Sequence, residues 1–145
     1  MINHPQPKVI FFYIQDNASK IHCICDQVQQ GSTKGKKILI HVPNEEAAKY
    51  VDALLWKMPD TSFLPHVISQ KPIKEWIVIT HLEQNLNQAT LLFNLCPSVS
   101  PIFHQFEEIY EFYEESYPEK ARAAEQKIEI YEANRITPIQ VKLTQ

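Results

Sequence analysis

Glycine is nearly absent: Gly31 and Gly35 are the only two in a chain of 145 residues. Phosphate cradles in α/β proteins are glycine-rich turns, because only glycine lets the backbone come close to a phosphate. The turn after the first apolar run reads Gln15-Asp16-Asn17-Ala18-Ser19. It carries neither a dinucleotide fingerprint nor a Walker-type loop, and no cofactor is expected. Cysteine is scarce too. Cys23, Cys25 and Cys96 are odd in number and irregular in spacing, which argues against a disulfide framework, a metal site or a redox pair. No apolar run approaches the about 20 residues of a membrane span. The start, Met1-Ile2-Asn3-His4-Pro5, has no signal-peptide pattern, so a soluble cytoplasmic protein is expected. Positive charge is also short. A net charge of −3 and a pI near 6.1 speak against tight binding to a nucleic-acid backbone, which needs a basic face.

What is present suits one globular domain over residues 1–145, with 44% hydrophobic and 21% charged residues. The charge is uneven. Residues 101–134 hold nine acidic and three basic residues, so that part carries −6 and the rest +3. Lys34, Lys36 and Lys37 form the one dense basic cluster, read as a solvated turn before a strand.

Lys8–Ile14 and Ile38–Val42 are continuous apolar runs, the pattern of strands buried on both faces of a parallel sheet. Asn17 or Ser19 is a cap for a helix through about Gln30 that Gly31 ends, with Cys23 and Cys25 on different faces. Asn44 caps a second helix with Glu45 and Glu46 in its first turn, and Pro59 stops it. Phe63–Ile68 reads as an extended edge segment, and Trp76–Thr80 and Ala89–Leu95 as further strands. A helix is expected from Pro101 to about Glu115, on the stripe Ile102, Phe106, Ile109 and Tyr113, with its acidic residues as a solvated face. Another begins at Pro118, and Ile136–Leu143 adds an edge strand. The alternation predicts an α/β fold: an open, mostly parallel twisted sheet with flanking helices, Rossmann-like but without the nucleotide site.

Groups able to do chemistry are sparse. Asp16 at the end of the first strand, with His41 or His81 near later strand ends, is the arrangement a small α/β hydrolase or transferase would use. Asp and Asn in such turns are otherwise cap residues. Cys96 as a nucleophile would need an activating base.

The run from Trp56 to His66 holds two large aromatics and two prolines, the composition of a rigid apolar platform or of a core closure. Read in order, Gly35-Lys36-Lys37-Ile38-Leu39-Ile40, Ala53-Leu54-Leu55-Trp56, Pro59 and Ser62-Phe63-Leu64-Pro65-His66 resemble the chi subunit family of bacterial DNA polymerase III. The likeness is clearest over about residues 8–66. It implies a non-catalytic accessory subunit of the holoenzyme, bridging the psi subunit of the clamp loader and the acidic, Phe-ended C-terminal tail of single-stranded-DNA-binding protein. The psi-like surface would comprise Trp56, Met58, Pro59, Phe63, Leu64 and Pro65, with His66 holding the loop. The family's tail pocket uses cations on the last helix. The matching positions here are Glu125, Ile128 and Glu129, and two carboxylates repel an acidic tail. Tyr113, Arg122, Lys127, Tyr131 and Arg135, with Lys120 beside them, are the residues left for a shifted pocket.

Overall fold

The computed structural model describes residues 5–58 and 63–143. It contains one seven-stranded sheet in which every pairing is parallel. In chain order the elements are β1 (Lys8–Ile14), α1 (Asn17–Thr33), β2 (Ile38–His41), α2 (Glu45–Lys57), β3 (Val67–Ile68), β4 (Ile77–Thr80), β5 (Leu91–Asn94), a 3₁₀ turn (Phe103–Gln105), β6 (Glu108–Glu114), α3 (Pro118–Ala133) and β7 (Ile139–Lys142). Across the sheet the order is β3-β4-β2-β5-β6-β1-β7. The α/β expectation therefore holds, with β3 and β7 as edges. Among the described residues no helix is long and apolar enough to cross a membrane.

The strands β2, β4 and β5 are buried at every residue, because both faces of a parallel sheet are covered. On one face Val28 of α1 and Val51 and Leu55 of α2 pack on Ile38, Ile40 and Phe93. On the other, Ala124 and Tyr131 of α3 pack with Phe11, Leu39, Leu92 and Phe103. Asn44 caps α2 as expected, its Oδ1 accepting from the Ala47 amide at 2.8 Å.

Four readings need correction. First, residues 101–115 are a 3₁₀ turn and a strand instead of a helix. In β6, Ile109 and Tyr113 face α3 while Tyr110 and Phe112 face α1, the two-residue alternation of a strand. Its acids are not a solvated face: Glu111 is fully buried, Glu108 pairs with Lys36 and Glu114 with Lys20 and Lys120. Lys36 is thus drawn out of the solvated cluster. Second, α1 is capped by Asp16, whose Oδ1 accepts from the Ser19 amide at 2.7 Å. Third, Cys23 and Cys25 are both buried, in one core cluster.

Fourth, Gly31 does not end α1, which runs on to Thr33. It lets the helix lie against the sheet: a Cβ there would stand 3.0 Å from Ile38 Cδ1 and 3.2 Å from Leu91 Cδ2. The stop comes at Gly35, whose φ of +73° is the left-handed region. Gly31→Val, which overfills this contact, is expected to lower stability by about 1–3 kcal/mol, measured by urea unfolding. A variant as stable as the parent would show the contact to be loose.

Candidate docking surfaces at the two ends of the sheet

Helices in a parallel α/β layer run opposite to the strands, so the C-terminus of α2 lies at the amino end of the sheet. Trp56 sits in the last turn of α2. Phe63, Leu64, Pro65 and His66 lead into β3. Trp56 is 52% exposed and Phe63 is 90% exposed, so neither closes the core, and large aromatics are costly to leave in water.

The mount beneath Trp56 is fixed. His66 is buried and its ring lies against Trp56, with centroids 4.1 Å apart at 42°. Its Nδ1–H donates to the Leu64 carbonyl at 2.7 Å. A carbonyl can only accept, which assigns that proton to Nδ1. Nε2 is buried and has no hydrogen-bond partner among the described residues; Asp52 Oδ1, at 3.6 Å, is beyond hydrogen-bond length. The expected loop-holding role of His66 is therefore visible in its contacts. Met58 and Leu64 turn partly inward onto the α1–α2 core. Pro65 is exposed. Pro59 lies outside the described residues.

The opposite, carboxyl end is built differently. There β2 leads through α2 to β3 and β4, while β5 leads the other way to β6. Such a divergence opens a crevice between strand ends. His41, His81, Glu83 and Cys96 line it; Asp16, occupied as the α1 cap on a distant strand, does not. The His41 Nδ1 and Cys96 Sγ are 3.4 Å apart. Burial pushes the Cys96 thiol up to about 11 and draws the His41 imidazolium below its usual range. An activated thiolate needs the reverse shifts. Among the described residues no three His, Cys, Asp or Glu side chains are grouped to hold a metal.

Beside this crevice stands a buried network centred on Glu111, which sequence reasoning placed on a solvated face. Glu111 accepts from Lys127 Nζ at 2.7 Å, Tyr131 Oη at 2.6 Å and Asn94 Nδ2 at 3.0 Å. Lys127 Nζ also donates to the Cys96 carbonyl at 2.6 Å. Burial raises the Glu111 carboxyl above its ordinary range, against the pull of Lys127 and the other donors. Burial next to Glu111 pushes the Tyr131 phenol up as well.

The five residues named for a shifted tail pocket are therefore not brought together. Lys127 and Tyr131 turn inward to Glu111. Tyr113 stacks on Tyr13 with centroids 4.4 Å apart, and its hydroxyl donates to Glu125 at 2.7 Å. Arg122 and Arg135 are exposed, Arg135 just past α3 with φ of 65°. What the fold does assemble is a neighbouring crevice: Lys20 and Lys120 flank it, and Leu95, Phe112 and Ala123 give it an apolar lining. Both lysines reach Glu114 Oε1 at 3.4 Å, so two cations share one carboxylate. Lys20 was missed because its pairing to β6, 94 residues on, has no local signal.

Comparison with known proteins gives concordant results. The family described as DNA polymerase III chi subunit, HolC, matches over residues 7–137. The chain is 31% identical over 98 residues to DNA polymerase III subunit chi of Haemophilus influenzae, covering 63% of this chain and 65% of that relative. It is 25% identical over 140 residues to DNA polymerase III subunit chi of Escherichia coli strain K12, covering 86% of this chain and 89% of that relative. The match thus spans just under two thirds of the first relative's length.

Proposed function

Because the chain belongs to the DNA polymerase III chi subunit family, we propose that it is a non-catalytic, single-domain accessory subunit of the replicative holoenzyme, bridging the psi subunit and single-stranded-DNA-binding protein. The observation that carries this reading is the exposure of Trp56, whose indole rests on the buried ring of His66, with the exposed Phe63 on the same segment. Aromatic side chains already held in place lose little entropy on docking, which is the property of interface anchors. Trp56, Phe63 and Pro65 form the psi-binding face, backed by Met58 and Leu64.

The second face is the crevice between Lys20 and Lys120 at the carboxyl end of the sheet. An acidic tail ending in an aromatic residue would set its ring against Leu95 and Ala123 and its carboxylates on Lys20 and Lys120. This replaces Lys127 and Tyr131 by residues with free surface. The two faces lie at opposite ends of the sheet, so their partners do not compete.

The test uses the intact protein, the psi subunit of the same organism and a labelled peptide of the single-stranded-DNA-binding protein tail. Fluorescence anisotropy is expected to show salt-sensitive peptide binding of equal affinity with and without psi. Size exclusion should show all three co-eluting. Lys20→Glu with Lys120→Glu should abolish the peptide and spare psi. Competition between psi and peptide, or no peptide binding at low salt, would sink the bridging mechanism.

A further inference from the structure

The chain has two tryptophans, and the second, Trp76, is 51% exposed. It immediately precedes β4, at the amino end of the sheet. It lines a shallow pocket of about 230 Å³ with Ser32, Gly35, Pro65 and Ile77. Pro65 thus belongs both to the loop of Phe63 and to the wall opposite Trp76. The Trp76 backbone is held: its carbonyl accepts from the Ile38 amide at 2.7 Å. Asn87 Nδ2 donates to the carbonyl of Glu75 at 3.0 Å and to that of Ile38 at 3.1 Å. Lys37 Nζ lies over the indole, 5.8 Å from its centroid. Lys34 is exposed next to Gly35, whereas Lys36 is engaged by Glu108.

We propose that the partner docked on Trp56 and Phe63 extends across the amino end of the sheet to Trp76, placing a large apolar side chain between Pro65 and Trp76 and a carboxylate against Lys37 and Lys34. This rests on the docking reading above. The occupant is a segment of that same partner in which an apolar residue adjoins an acidic one. Charge complementarity selects it: two lysines flank the apolar pocket, and a buried ammonium over an indole needs a counter-charge once water leaves. The pocket and its rigid backbone exist before binding, so the added contact costs little ordering. Lys37 and Lys34, standing at the rim, set the rate of encounter and its salt dependence.

The two tryptophans make the test direct. Trp56→Phe leaves Trp76 as the sole indole, and Trp76→Phe leaves Trp56. With saturating psi subunit, the emission of each is expected to shift to the blue and to become protected from acrylamide quenching. Trp76→Ala should weaken psi binding about 5-fold or more. Lys37→Glu should weaken it several-fold and flatten its salt dependence. If Trp56 responds while Trp76 emission and quenching stay unchanged, the partner stops short of Trp76: the inference is wrong and the docking reading stands. If psi binds no form of the protein, the docking reading fails and this inference falls with it.

Discussion

Lys127→Met is expected to destabilise the fold by roughly 3–5 kcal/mol at neutral pH, the cost of leaving a buried charge without its partner. Methionine keeps much of the lysine's length but gives Glu111 no counter-charge. Tyr131 and Asn94 still donate to the carboxylate, yet neither supplies a positive charge. The loss should depend on pH, with a sign fixed by the direction of the Glu111 shift. Burial already holds that carboxyl above its ordinary range, and Lys127 is the largest influence opposing it. Removing Lys127 raises it further. A carboxyl that binds its proton more readily in the fold than in the unfolded chain contributes stability below its unfolded value. That contribution is lost as pH rises through the folded value. The deficit of Lys127→Met should therefore be small in acid and full at neutral pH. Urea unfolding at pH 5 and pH 7.5 measures it. Glu111→Gln added to Lys127→Met should recover much of the stability, because a neutral side chain of the same shape needs no counter-charge. Equal and small losses at both pH values would mean that water reaches Glu111. The same substitution warns against reading lost partner binding by Lys127 variants as lost contact.

Trp56→Ala should reduce psi-subunit affinity by about 30-fold or more, the effect of truncating an anchor worth 2 kcal/mol or more. Stability should change by only about 1 kcal/mol or less, as surface substitutions do, because half of the ring is already in water. What is lost inside the protein is the stack on His66. His66 itself keeps its bond to the Leu64 carbonyl, so the loop stays in place and the binding defect reports the indole. Calorimetric titration of Trp56→Ala, Phe63→Ala and the double variant separates the two anchors. If they fill one partner surface, the double variant should lose less than the sum of the singles. A loss below about 3-fold for Trp56→Ala would remove the platform from the interface.

Much of the sheet was legible from local pattern. Ile38–His41, Ile77–Thr80 and Leu91–Asn94 are short apolar runs that suit only a doubly covered strand. Asn44 announced α2 through a bond it makes three residues away. Residues 101–115 failed for a specific reason. Ile102, Phe106, Ile109 and Tyr113 fall at helical spacing, while Ile109, Glu111 and Tyr113 alternate as in a strand. What decides between them is remote: β1 offers an edge to β6, and Lys127 waits on α3 to neutralise Glu111. Acidic residues were read as solvated because their counter-charges are distant in sequence. At the proposed docking surface, composition and resemblance pointed to Trp56 and Phe63 but not to how His66 supports Trp56. Trp76 was absorbed into a strand because an aromatic before Ile-Val-Ile looks like its first residue. It stops one residue short of β4 and keeps its indole outside.

The register of β1 has a consequence for the order of events in folding. Lys8 lies opposite Glu108, and Ile10 opposite Ile139, so the first strand made finds both of its neighbours only after 100 residues or more have followed it. During synthesis the run Phe11-Phe12-Tyr13-Ile14 must wait, while α1 and the β2–α2–β3–β4 block have partners close behind them. Loops of that length close slowly, and sheets dominated by such distant pairings fold slowly for their size. An aromatic strand left unpaired for that interval is a site where nascent chains associate wrongly. The half of the sheet that carries Trp56, Phe63 and Trp76 is expected to mature first, and the pairing of Lys20 on α1 with Glu114 on β6 to come late.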